Sequence, residues 1–263
     1  MVASEKGVFM KSKRSSQKNG ATTAFDTSNW ANPEFSRGYI DNADVFIVER
    51  RRMLTILQSF YVHFVKDGSR KTMLDLGCGD GIVTATIAEA GGPVNATLVD
   101  GSEDMVSKAR ERLTCLPNAK YVHASFQEVL RTNKLEGPYD FIVSSLAIHH
   151  LTLDEKTALF KKAHSLLNPG GHFVNIDVVQ APTGTMEQWY LALWKEWIDE
   201  RKLTLGIEGD QFDGILRQYK DAEENKPDTL DAQLKALTAA GFKDVDCYYK
   251  YGIFTIFGGR KQQ

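Results

Sequence analysis

The stretch Met73-Leu-Asp-Leu-Gly-Cys-Gly-Asp-Gly81 constrains this chain more than any other. An apolar run and an acid lead into Gly77, Gly79 and Gly81, and a helical pattern follows. That order predicts a buried strand, a tight glycine turn and a helix. Glycine suits the turn because it adopts positive φ and leaves no Cβ between backbone and ligand. The helix N-terminus behind it presents free N–H groups and the positive end of a dipole. A nucleotide-like ligand binds in such a setting, at the carboxyl end of a parallel strand.

A dinucleotide fingerprint would place a third glycine where Ile82 stands. The pattern is instead D-x-G-x-G-x-G, from Asp75 to Gly81. Leu98-Val99-Asp100 closes a second apolar run at the interval of a βαβ unit. An acid in that place accepts from both ribose hydroxyls of an adenosine, or caps the helix that follows Ser102. Three more segments continue the rhythm: Tyr121–Phe126, Tyr139–Leu151, and Leu167-Asn-Pro-Gly-Gly171 with His172–Asp177.

Taken in order, these motifs resemble the class I S-adenosylmethionine-dependent methyltransferases, over about residues 70–180 and again in the tail from about 229. The resemblance implies an α/β, Rossmann-like, doubly wound fold. Its sheet would be seven-stranded and mostly parallel with a reversed last strand, joined by an N-terminal helical segment and a helical lid insertion. It implies S-adenosyl-L-methionine as cofactor and methyl transfer to nitrogen or oxygen of a small molecule by in-line displacement. The cofactor residues it implies are Asp75, Gly77, Cys78, Gly79 and Gly81 of the turn, and Asp100 and Gly101 after the second strand. Met105, Ser125, Phe126, Ser144 and Tyr39 complete the set. Family members often carry an acid where Ser125 stands, and Met105 reads equally as helix core.

Three other readings compete. A nicotinamide oxidoreductase shares Asp100 but not Ile82 or the Leu-Asn-Pro-Gly-Gly landmark. A methyltransferase of RNA or protein is disfavoured by the lack of an N/D-P-P-[YFW] motif. A protein that binds the cofactor without transferring methyl is the non-enzyme alternative.

Net charge is −2, which points to neither nucleic acid nor a membrane surface. No apolar run approaches the length of a membrane span. The 3 cysteines are far apart, which suggests a reducing, cytoplasmic setting without disulfides. No cysteine pair has metal-ligand spacing, and no metal is expected.

The chain divides into a polar tail expected to be disordered (1–23), an N-terminal helical cap (24–68) and a cofactor-binding α/β core (69–180). A helical lid insertion (181–228) and the end of the core (229–263) complete it. In the cap, Met53, Ile56, Leu57, Phe60, Tyr61 and Phe64 recur at helical spacing. Arg50-Arg51-Arg52 opens that helix at the wrong end for its dipole. Arg37 and Tyr39, among irregular aromatics, are candidates for the methionine end of the cofactor. The catalytic candidates are His149, a base of suitable range, and Asp177 at the end of the fifth strand. His150 and the lid aromatics Tyr190 and Trp194 are candidates for binding the small-molecule acceptor. The same aromatic stripe could instead dock on the N-terminal helix or form a dimer contact, so the chain is read as a monomer or homodimer.

Overall fold

The computed structural model describes residues 25, 28–91, 94–210 and 212–263. The expected tail (1–23) and the Gly92-Pro93 stop of the first core helix lie outside them. β1 (Lys71–Leu76) is the strand before the glycine turn, and its residues from Met73 onward are buried. β2 (Val94–Asp100) and β4 (Tyr139–Ser145) pair with it in parallel, one on each side. β3 (Lys120–His123) flanks β2, and β5 (Leu167–Val178) flanks β4. β7 (Phe254–Arg260) runs antiparallel between β5 and β6 (Lys243–Tyr251). The order is 3-2-1-4-5-7-6, a seven-stranded, mostly parallel sheet with its last strand reversed. Helices cover both faces, so the central strands read as continuous apolar runs.

The crossover helices are α3 (Ile82–Glu89), α4 (Glu103–Arg112), α5 (Phe126–Arg131), α6 (Leu153–Leu166) and α9 (Leu230–Ala239). α6 starts on the capping box formed by Thr152 and Glu155. Leu167 opens β5 directly after the last residue of α6. It pairs with Tyr139, and the ladder resumes after a register shift at Phe141 and His172.

Among the described residues, a 3-10 helix (Asn29–Ala31) and two α-helices, α1 (Pro33–Phe46) and α2 (Arg50–Phe64), precede the core. α2 buries Met53, Leu57 and Tyr61, while Phe64 ends up exposed as the stripe turns off the core. α1 is not foreshadowed by its scattered aromatics. Its signal is at the start, where the Asn32 side chain accepts from Glu34 N–H and Pro33 opens the first turn. Arg50 and Arg51 both pair with Asp44 of α1, at 2.8 Å and 3.0 Å. Those pairs offset the unfavourable dipole.

After β5 come α7 (Gly184–Leu205) and α8 (Ile215–Asp221). The tryptophan stripe of α7 docks on α1. Trp194 Nε1–H donates to Phe46 O (2.6 Å), and Trp197 Nε1–H donates to Val45 O (3.0 Å). These carbonyls belong to the last turn of α1, which leaves them without a partner inside the helix. The two indoles therefore terminate one helix while burying another. Trp189 points away and is 55% exposed. No helix among the described residues is long and apolar enough to cross a membrane.

Two expected outcomes follow from this packing. Trp194→Ala should destabilise the fold by about 3–5 kcal/mol, whereas Trp189→Ala should change it by no more than about 0.5 kcal/mol. Urea denaturation of both variants checks the contrast.

The second concerns Asp75, wholly buried in β1 with the Thr84 hydroxyl at 2.7 Å. Its Oδ1 has no partner among the described residues. Burial pushes this carboxyl up to about 7 against the pull of the Thr84 hydrogen bond. The folded state thus holds the Asp75 proton more tightly than the unfolded chain does. Its stabilising effect is complete below about pH 4 and is lost as pH rises through about 7. Each pH unit in this window is worth about 1.4 kcal/mol, so the total is on the order of 4 kcal/mol. Asp75→Asn should flatten the fall in stability between those two pH values. Parallel pH profiles for variant and parent would contradict it.

Candidate functional site

The carboxyl ends of β1, β2, β3 and β4 open onto a cavity of about 170 Å³. A smaller one of about 60 Å³ adjoins it. Tyr39, Gly77, Gly79, Met105, Ser145 and Leu146 line both, making one cleft with two ends. The larger end reaches Asp100, Gly101, Ser125 and Phe126. The smaller end reaches Cys78, Asp80 and Arg50.

The glycine turn is held from below by Val99 O, which accepts from Gly77 N–H (2.8 Å) and Cys78 N–H (3.0 Å). Gly77 has φ +70°, and a Cβ there would lie 2.4 Å from Ala147 Cβ. Gly79 has φ +53°, and an added Cβ would meet no described atom within 4 Å. Its bare face therefore borders open space. Gly79 N–H donates to Asp100 Oδ2 (2.9 Å), and Ser102 N–H donates to Oδ1 (2.8 Å). Each carboxylate oxygen keeps a lone pair for a ligand hydroxyl. Asp100 thus holds the N–H of the residue that caps the next helix and does not cap that helix itself. Ser102 itself caps α4 by accepting from Met105 N–H. Burial raises the Asp100 carboxyl above its ordinary value, opposed by the Ser102 and Gly79 N–H groups.

Met105 is both core and wall: it is 3% exposed yet lines both ends of the cleft. Ser125 caps α5 in a box with Glu128 and still borders the larger end with Phe126. A Cβ on Gly101 would lie 2.7 Å from the ring of Phe25, which covers that side. Cys78 lines the smaller end, and burial pushes its thiol well up.

Asp75 and Gly81 lie outside the lining, beneath and behind the turn. Ser144 is also off the wall: it is wholly buried, and its hydroxyl donates to Leu76 O (2.7 Å), tying β4 to β1. Strand alternation turns its neighbour Ser145 into the cleft instead. Arg37 is exposed on an outer groove with Asp80 and Arg112.

Beyond β4 lies the short 3-10 turn Ile148–His150. His150 stands on the wall of the larger end, and His149 stands behind it. His149 Nδ1 lies 2.6 Å from Asp177 Oδ1. Asp177 is wholly buried and also accepts from Val178 N–H (2.9 Å) and Asn175 Nδ2 (3.3 Å). Neither His149 nor Asp177 lines the cleft. Tyr190 and Trp194 do not either. Tyr190 packs beneath the Lys250 ammonium, 4.1 Å from its ring centroid. Trp194 is engaged by Phe46 O and by the rings of Tyr219 and Phe254.

Residues not singled out for the site also border the cleft, among them Arg50 at the smaller end, and Trp30, Glu224 and Lys226 at the larger. Trp30 sits edge-on to Tyr39 (4.8 Å between centroids) and to His150 (5.7 Å). Burial raises the Tyr39 phenol well above its ordinary value, with Arg50 opposing. Glu224 and Lys226 belong to a strap, residues 222–228, that crosses the opening. The Glu224 carboxylate accepts from Asn29 N–H and Nδ2, and Lys226 N–H donates to His149 O (2.8 Å). Lys156, wholly buried on α6, donates from Nζ to Lys226 O and to Asp228 Oδ2.

Residues 73–171 match the family described as a methyltransferase domain. The chain is 32% identical over 124 residues to the biotin biosynthesis bifunctional protein BioCD of Bordetella avium, spanning 47% of this chain and 24% of that one. A carboxy-S-adenosyl-L-methionine synthase of Chromohalobacter salexigens is 29% identical over 191 residues, 67% of this chain and 63% of its own length. Among solved structures, an O-methyltransferase family protein of Burkholderia thailandensis aligns with a TM-score of 0.63 at 14% identity, over 92% of this chain and 64% of that one. A magnesium protoporphyrin IX methyltransferase of Synechocystis aligns with a TM-score of 0.60 at 15% identity, over 89% of this chain and 96% of that one. The chain thus spans less than two thirds of the length of the first curated relatives, 24% and 57%. Residues 73–171 thus match a methyltransferase domain, and the sheet built around them has the fold of the class I S-adenosylmethionine-dependent methyltransferases.

Proposed function

We propose that this chain transfers the methyl group of S-adenosyl-L-methionine to nitrogen or oxygen of a small molecule. The observation that carries this reading is the Asp100 carboxylate. It is fixed by two backbone N–H groups, keeps a lone pair on each oxygen and faces a cleft whose floor is the bare Gly79. Asp100 and Gly101 take the ribose; Met105, Ser125 and Phe126 take the adenine. Gly77, Gly79 and Tyr39 take the methionine end, and Arg50 sets a guanidinium near it for the carboxylate. The bound cofactor supplies a methyl group on a sulfonium, open to in-line attack.

The task left to the protein is alignment and exclusion of water. Trp30, Tyr39 and the strap enclose the acceptor side, which suits a small molecule better than a polymer. His149 and Asp177 act from behind the wall: their buried pair fixes the turn that presents His150. They are assigned as positioning residues. The free thiols Cys78, Cys115 and Cys247 suit a reducing, cytoplasmic location.

Calorimetry should show S-adenosylmethionine binding that weakens at least about tenfold in Asp100→Ala, since hydrogen bonds to a charged group are lost. NADH should not bind. Incubation with methyl-labelled cofactor and a metabolite extract should move label into a small-molecule fraction. Label in RNA or protein would assign a macromolecular acceptor, and absence of cofactor binding would refute the proposal.

A further inference from the structure

We infer that the outer wall of the cleft is a hydroxyl site, in which His150 Nε2 accepts the proton of the acceptor's O–H while Trp30 Nε1–H holds its oxygen. On this inference, which rests on the proposed methyl transfer, the acceptor is an alcohol or phenol and not an amine.

The starting point is the His150 tautomer. Its Nδ1 lies 3.2 Å from the carbonyl oxygen of Glu224. A carbonyl only accepts, so Nδ1 carries the hydrogen, and the neutral ring keeps its lone pair on Nε2. Burial first, and the neighbouring His149 second, hold the His150 pKa well below its ordinary value, which keeps the ring neutral. The hydrogen bond to the Glu224 carbonyl opposes that shift, and the nearby cations reinforce it. Lys226 of the strap and Lys156 of α6 oppose a second positive charge. His149 lies 4.0 Å away between ring centroids. From the N-terminal side come the uncharged rings of Trp30 and Tyr39.

His150 Nε2 and Trp30 Nε1 are both buried, and neither has a hydrogen-bond partner among the described residues. One is an acceptor and the other a donor, on two residues that both line the larger end of the cleft and whose ring centroids are 5.7 Å apart. Leaving each of them unmatched carries the desolvation cost of a buried polar group. A bound group that donates to one and accepts from the other removes both penalties.

The chemistry of methyl transfer narrows the choice. A hydroxyl oxygen has two lone pairs and one hydrogen. One lone pair can accept from Trp30 while the other attacks, and the hydrogen points at His150. A neutral amine has a single lone pair, and Trp30 N–H would occupy the electrons needed for attack. An ammonium cannot accept from Trp30 and has no lone pair with which to attack. A carboxylate cannot donate to His150. In the transfer, the O–H proton passes to His150 Nε2, an oxygen lone pair forms the bond to the methyl carbon, and the carbon–sulfur bond breaks with its electrons left on sulfur. One positive charge leaves sulfur as one appears on His150, so the buried site carries the same total charge throughout.

The test uses the full chain with ¹⁵N-labelled histidine and saturating S-adenosylmethionine, with His150 resonances assigned from His150→Gln. Long-range ¹H–¹⁵N spectra should show the neutral Nδ1–H tautomer of His150 from pH 6 to 8. Phenol and 1-naphthol, as probes, should shift its Nε2 resonance, and aniline and 1-naphthylamine should not. Label from the cofactor should follow the same preference. Trp30→Phe should weaken phenol binding about tenfold. His150→Gln should lower the methylation rate at least about 100-fold, with cofactor affinity changed less than twofold in both variants. A proton on Nε2, no Nε2 shift with either hydroxyl probe, or label entering amines alone would each overturn the inference. Failure to bind S-adenosylmethionine would remove the proposed function itself, a result that calorimetry separates from these.

Discussion

The hydrogen bond from Gly79 N–H to Asp100 is the contact on which the cleft depends. It joins the turn after β1 to the end of β2, the two places where a parallel sheet exposes its ligand. Without it the Asp100 side chain would have one backbone anchor, and the turn would lose its outer tether. Val99 O holds the same turn from the inner side. Between them the backbone of Gly77–Gly79 is fixed before any ligand arrives, which reduces the ordering cost of binding.

A second layer is set across this frame by parts of the chain that are distant in sequence. α1 and α2 enter from the N-terminal side, α7 ties down the end of α1, and the strap reaches from the far end of the insertion. Each is secured by groups that would be costly to leave alone: orphan helix carbonyls on indoles, and a buried ammonium on a carbonyl and a carboxylate. The wall facing the acceptor is therefore built from irregular backbone held by strong, specific contacts.

This division explains what could be read from the sequence. The strand–turn–helix units carried their own periodicity, and Asp75 through Asp177 marked the sheet order in advance. Within those units, residue type was clearer than residue direction. Ser144 and Ser145 are chemically identical, and only the phase of β4 decides which one meets the cleft. His149 and His150 posed the same problem, settled by a buried carboxylate on β5. The aromatics of α7 carried a true helical signal, yet their partner was the end of α1, whose carbonyls no side-chain pattern reveals. Trp30 sits in a three-residue 3-10 helix, and Glu224 and Lys226 sit in a loop; neither is long or regular enough for a period to give them away. α1 was the missed element that did carry a local sign, in Asn32 and Pro33.

Lys156 has a consequence for how the cleft can open. Its ammonium is wholly buried, and the partners that satisfy it belong to the strap. Lifting the strap would strand a cation in the interior, a loss of several kcal/mol. The N-terminal arm is held differently. Asn29 meets Glu224 in an exposed contact, and Trp30 leaves its indole N–H unused. The two flaps therefore have unequal hinges: lifting the strap breaks a buried ion pair, whereas lifting the arm breaks an exposed contact and the ring contacts of Trp30. The strap is the jamb of the cleft, and the lower cost of opening lies on the side of Trp30.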